Sequence, residues 1–280
     1  MPAFAAPAPL AIAVDVPHAS LHVIASERED AVVTVLPADP SRSGSVRAAE
    51  EIQVEQRGDA LTLSYPGSWK QYLLPFAAGT ASITLEVPAG SSVRGRSGTL
   101  LAEGALATVD MALTSGDVRL ERVEQLDLKV SAGSAVVDRV GGRLTLSVGA
   151  GSVRIREIEG EGSIRAANGT TTVDSLTGSL EITGAHGDIA VGRMHGDLVA
   201  KSAHAGIRVD RLDAGRATLT TSFGALEAGI PEGTAAYLDL STENGTVRNL
   251  LTPAEGPVDD EPTAQIQAST RYGDIIVRRP

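Results

Sequence analysis

Glycine recurs in this chain at a fixed step, and that step restricts what the chain can fold into. Gly133, Gly151, Gly169 and Gly187 stand 18 residues apart, and Gly142, Gly160, Gly178 and Gly196 form a second series with the same step. Gly98, Gly116, Gly224, Gly245 and Gly273 precede further short β-rich runs, and Ala205-Gly206 keeps the register of the first series. Each repeat thus carries two turns with a β-rich segment between them. Fixed periods of this length are the sequence signature of stacked, quasi-one-dimensional folds.

Apolar residues obey the same step. Two positions after the first glycine come Val118, Ala135, Val153, Thr171, Ile189, Leu226, Val247 and Ile275, and seven positions after it come Val123, Val140, Ile158, Leu176, Met194 and Leu212. The opposite segment supplies Leu126/Leu128, Leu144/Leu146, Leu180/Ile182 and Leu198/Ala200. Within each segment apolar and polar residues alternate, as a strand with one buried face requires. Arg154, Arg156, Asp174, Glu181, Lys201, Arg208 and Asp210 fall on the solvent side. A helix is excluded by the spacing of two and by the frequency of glycine and β-branched residues. An antiparallel sandwich would not keep every column in one register. The expected fold is all-β, a parallel β-solenoid of about 18 residues per coil, each coil stacked roughly 4.8 Å above the last. Parallel crossovers favour a right-handed coil.

Composition agrees with this reading. Apolar residues make up 42% of the 280, yet aromatics only 3%, so the core must be built of small aliphatic side chains. The net charge of −11 lacks the basic face that nucleic acid requires. With no cysteine in the chain, disulfides and thiolate metal sites are excluded. The N-terminus, MPAFAAPAPLAIAVDV, has no Lys or Arg before its apolar stretch and reads poorly as a signal peptide. No apolar run is long enough to span a membrane. A cytoplasmic protein is the default expectation, with a surface or secreted one as the alternative.

Residues 1–90 lack the period. Segments 10–24, 31–36, 51–56, 60–65 and 81–87 read as strands between Pro, Gly and charged turns. We expect residues 1–90 to form an N-terminal β cap and residues 91–280 the solenoid repeats, with the Pro-rich, acidic stretch 250–263 as a loop insertion. A last strand from Ile266 to Val277 would close the solenoid, with Arg271, Arg278, Arg279 and Pro280 guarding its edge. A guarded edge implies a monomer.

Three segments carry a family resemblance: SFGALEAGIPEG, then AYLDLSTENGTVRN, then STRYGDIIVRR, with VIASERED and VVTVLPADPS upstream. Together they resemble the bacterial putative-adhesin domain of unknown function, a family of β-strand repeats, over roughly residues 12–279. The resemblance implies a solenoid. It transfers no catalytic, cofactor or ligand residue.

Candidate sites were weighed against plainer readings. His186 and His204 share one column, so their rings should stack one coil apart; the same column holds Ala150, Asn168, Phe223, Asn244 and Tyr272, while His195 lies at the opposite turn. Two imidazoles fall short of a metal site, and an exposed turn position is the better account. Gly-Asp pairs at 116–117, 187–188, 196–197 and 273–274 hint at a calcium roll, but the carboxylates do not recur in successive turns. Hydrogen bonding of these Asp side chains to turn backbone fits better. The best binding candidate is the aromatic run Tyr65, Trp69, Tyr72 and Phe76, which either plugs the end of the solenoid beside the cap or waits for a ligand. No paired acid and base and no G-x-S-x-G elbow suggest catalysis, and no cofactor is expected. The function expected is therefore a non-enzymatic binding or scaffold role that presents a long surface to a protein or polysaccharide partner. A carbohydrate-active or carbohydrate-binding β-helix and a self-assembling solenoid are the alternatives.

Overall fold

A computed structural model describes residues 3–65, 80–252, 256 and 261–280. The fold is all-β and solenoidal, with one helix among the described residues. It divides into two compact units, residues 1–134 and 135–280.

The first unit contains β1 (Ala3–Ala5), β2 (Ala11–Ser26), β3 (Asp30–Pro37), α1 (Ser43–Glu51), β4 (Gln53–Arg57), β5 (Ala60–Ser64), β6 (Ala81–Pro88), β7 (Ser92–Ser115) and β8 (Val118–Ala132). Its coils are not stacked in chain order. β2 lies in parallel on β7, with Ala11 beside Ser92 and Leu21 beside Leu100. On its other edge β2 pairs in parallel with β5 and β6, which together make one further coil. β7 then pairs in parallel with β8. Beyond the β5–β6 coil the pairing turns antiparallel, β4 on β5 and β3 on β6. Residues 11–26, outside the period and read from sequence as part of a cap, thus form a solenoid coil of their own. Nothing in the sequence reading foresaw α1.

The second unit holds β9 (Ala135–Val140), β10 (Arg143–Ala150), β11 (Val153–Asn168), β12 (Thr171–His186), β13 (Ile189–Ser202), β14 (Ile207–Phe223), β15 (Leu226–Gly229), β16 (Ala235–Asn244), β17 (Val247–Asn249), β18 (Thr263–Tyr272) and β19 (Ile275–Arg278). Here the expected register holds residue by residue. Ala135, Val153, Thr171, Ile189 and Ile207 stand side by side in successive parallel strands, and so do Val137, Ile155, Val173, Val191 and Val209. All ten are buried. A one-residue irregularity after Met194 lengthens the β14 coil, so the column continues at Leu226.

The last strands depart from chain order. β18 sits between β14 and β16, and β19 between β15 and β17. The segment expected to close the solenoid is therefore an inner layer, and Arg271 and Arg278 guard no edge. Among the described residues the outer layer is the β16–β17 coil. That is why Val247, expected inside, is 41% exposed whereas its neighbour Ile275 is 1% exposed. Of the expected loop 250–263, residues 253–255 and 257–260 lie outside the described residues.

Glycine is required at the corners for a geometric reason. Gly178 has φ +120°, a region L side chains avoid, and a Cβ added there would stand 2.1 Å from the carbonyl oxygen of Gly160 in the coil below. Gly184, without such a φ, would bring its Cβ no nearer than 3.6 Å to anything.

Two contrasts test these assignments. Gly178→Ala should cost ~3 kcal/mol or more in denaturant unfolding, from strain and overpacking together, whereas Gly184→Ala should stay within about 0.5 kcal/mol. Likewise Ile155→Asp should abolish folding, because a carboxylate stacked between Val137 and Val173 has no partner and costs several kcal/mol. Its outward neighbour Arg154, paired with Asp174 at 3.0 Å in an exposed position, should tolerate Ala at a cost of ~0.5 kcal/mol or less. Equal losses within either pair would show the faces to be misassigned.

Candidate functional site

The turn column that begins each coil of the second unit gathers the most distinctive side chains. His186, His204, Phe223 and Tyr272 follow one another through successive layers, and each precedes a turn glycine or alanine. Their backbones are held one strand apart by the ladder itself: His186 bridges His204, and Phe223 pairs with Tyr272. The rings therefore stack. Centroids are 5.0 Å apart from His186 to His204, 5.0 Å from His204 to Phe223, and 4.9 Å from Phe223 to Tyr272, with interplanar angles of 5°, 13° and 2°. The ladder faces water, with Phe223 44% and Tyr272 48% exposed. Asn168 and Asn244 occupy the same column beyond its two ends.

The expected stacking of the two histidines is present, but the sequence reading missed that Phe223 and Tyr272 complete a four-ring stack. The signal lay in the same column. Membership of the column was legible in the sequence; that Tyr272 lies directly on Phe223 was not, because β18 is out of chain order. A metal bridging the two imidazoles is disfavoured by the geometry. Parallel rings 5.0 Å apart hold like nitrogens further apart than a shared ion at ~2.0–2.1 Å from each would permit. Among the described residues no three His, Asp or Glu side chains gather to hold a metal ion.

Three of the four Gly-Asp carboxylates bond to turn backbone. Ser134 N–H donates to Asp117 Oδ1 at 2.8 Å, Gly206 N–H to Asp188 Oδ1 at 3.0 Å, and Thr246 N–H to Asp274 Oδ1 at 2.8 Å. In each case the Asp accepts from a backbone amide in the neighbouring coil and so clamps two turns together.

The charged outward columns pair with one another. Arg139 lies 2.7 Å from Glu159 and 3.4 Å from Glu157, Arg156 lies 3.5 Å from Asp138, and Arg211 and Arg193 lie 2.6 and 3.5 Å from Asp213. Hydrogen bonding to Asp210 raises the guanidinium pKa of Arg208 above its ordinary value. Much of the long charged face is thus satisfied by its own neighbours.

Of the aromatic run, Tyr65 alone is described; Trp69, Tyr72 and Phe76 lie outside the described residues. Tyr65 is half-buried, and its N–H donates to the Asp15 carbonyl at 3.1 Å. With Val16, His18, Ala19, Ala48, Ile52 and Ala81 it lines a recess of about 10 Å³, at or below the size that holds one water. Tyr65 thus lies beside residues of α1, β2 and β6. A larger groove of about 380 Å³ opens in the first unit beside Asp15, Thr62, Ser64, Arg94 and Asp110.

A fold of stacked coils whose chemistry lies in turns and ladders matches one family over nearly its whole length, residues 10–278. The chain belongs to the Toastrack DUF4097 family. No curated protein matches it. Three crystal structures are similar to this Toastrack chain. One is titled a "putative adhesin" from Bacteroides fragilis, 14% identical, covering 99% of this chain and 95% of its own, with a TM-score of 0.30. Another is a "putative cell adhesion protein" from Clostridium sporogenes, 9% identical, covering 100% and 98%, at 0.22. The third, a "putative adhesin" from Parabacteroides distasonis, is 13% identical over 98% and 94%, at 0.28. At such scores family membership rests on the sequence match alone. No helix is long and apolar enough to cross a membrane among the described residues.

The ring ladder should contribute to stability as well as surface. Phe223→Ala removes both of its stacked contacts and should cost ~1–2 kcal/mol, given roughly 0.5–1.5 kcal/mol per aromatic pair. Phe223→Tyr should cost much less. Equal losses in equilibrium unfolding would mean that stacking contributes nothing.

Proposed function

We propose that this Toastrack domain is a non-enzymatic binding or scaffold module that offers an extended surface to a protein partner, with the ring ladder as its contact strip. The observation that carries this reading is the exposure of four stacked rings in one column. Aromatic side chains are enriched at binding hot spots. Solenoids present long surfaces rather than deep pockets, which suits macromolecules.

The orientation of the rings supports a polypeptide over a polysaccharide. Sugars stack on ring faces, and here each face is turned toward another ring or toward Asn168 or Asn244 in the column. Ring edges, imidazole nitrogens and the Tyr272 hydroxyl are what remains. A binding module of adhesin-like type would act at the cell surface or in secretion, the alternative to the cytoplasmic expectation. Trp69, Tyr72 and Phe76 form no part of this proposal.

The test is capture from a native extract by the immobilised protein, compared with a Phe223→Asn/Tyr272→Asn variant of unchanged circular dichroism. A specific protein lost on substitution is the expected result. Retention of the same partner by the variant would remove the ladder from the site. Turnover of a polysaccharide by the pure protein would sink the non-enzymatic reading.

A further inference from the structure

The outermost coil of the second unit is constructed like a covered one. Ala236, Leu238 and Leu240 of β16 continue the inward column of Ala264, Ile266 and Ala268. The inner three are 2%, 0% and 2% exposed, while Leu238 and Leu240 are half-buried and Ala236 is exposed. Among the described residues β16 pairs on one side only, with β18. Ala235 N–H donates to the Pro262 carbonyl on that side. Alternation along the strand therefore turns the backbone groups of Ala236, Leu238, Leu240 and Thr242 to the open side.

Open edges are ordinarily blunted by shortness, charge, proline or a bulge. β4, an outer strand of the first unit, follows that rule: it has five residues and carries the ion pair Arg57–Glu55 at 3.1 Å. β16 has ten residues, with no Lys, Arg or Pro, and its two charges, Asp239 and Glu243, are both acidic and on its outward face.

We propose that β16 pairs antiparallel with β16 of a second copy of this chain, across a two-fold axis at Leu240. Side chains of both strands must keep their inward and outward faces, so only same-parity pairings are allowed. Two such registers keep nearly the whole strand paired, one centred on Asp239 and one on Leu240. The first sets Asp239 against its own copy, and like charges directly opposed are destabilising. A shift to Ser241 sets Asp239 against Glu243. Centring on Leu240 sets Leu240 against Leu240, Leu238 against Thr242, Asp239 against Ser241 and Tyr237 against Glu243, with no like charges opposed. The arrangement uses up both edges and closes as a dimer instead of growing into a filament. The sequence-based expectation of a monomer rested on arginines that belong to the inner layer.

Sedimentation velocity of the full chain over a range of concentrations tests the proposal, and a reversible dimer is the expected result. Ser241 is exposed and points outward, so its replacement leaves the core untouched. Ser241→Glu, placed twice against Asp239, should weaken the dimer roughly tenfold, and Ser241→Arg should tighten it by a similar factor. Because the chain has no cysteine, an Asp239→Cys/Ser241→Cys variant should yield a covalent dimer on mild oxidation. A chain monomeric at all concentrations would overturn the proposal, as would equal effects of Glu and Arg at 241. Exchange-protected β16 amides in such a monomer would show the edge to be covered from within the same chain.

Discussion

Coils stacked one strand apart leave no room at their corners for a side chain. Gly178 shows the constraint most directly, since its missing Cβ is the space taken by the Gly160 carbonyl below. Without glycine there the turn opens, the next strand loses its register, and every inward residue after it moves off its column. The apolar columns are what bury surface, but they can do so only because the corners fix each coil above the last. Asp117, Asp188 and Asp274 reinforce the opposite turns, those of the other glycine series, by accepting an amide from the neighbouring coil.

This dependence explains where distinctive side chains gather. Strand faces are either committed to the core or, on the outside, carry polar side chains, some of them paired across coils like Arg139 with Glu159. The turn columns are left to vary, and a variable position repeated at one strand spacing becomes a ladder. Four aromatic rings in such a column must stack, whether or not stacking was selected for itself. Position and spacing come from the fold; ring identity is what a partner could read.

The repeat made the second unit legible. Val137, Ile155 and Val173 share a column in sequence and in space because consecutive coils follow one another without interruption. Legibility ended wherever spatial neighbours were distant in the chain. Asp15 meets Arg96 across 81 residues, so no period could mark residues 11–26 as a coil. Val247 fits its column in sequence, yet a column says nothing about which member lies outermost. The helix Ser43–Glu51 escaped notice because it is a single short element whose N-cap residue, Arg42, makes no side-chain capping bond. The ring ladder was half visible: the histidines lie one period apart, whereas Tyr272 joins Phe223 only through the inserted layer.

That inserted layer also orders events in time. The β16–β17 coil precedes β18–β19 in the chain but rests on it in space. During synthesis the residues of the outer coil emerge first and have no seat until residues 263–278 follow and slide beneath them. Part of the non-local closure that slows folding in all-β chains thus falls in one late step. Before that step the β14 edge stands open, and the nascent chain passes through a state whose exposed surface differs from that of the finished protein.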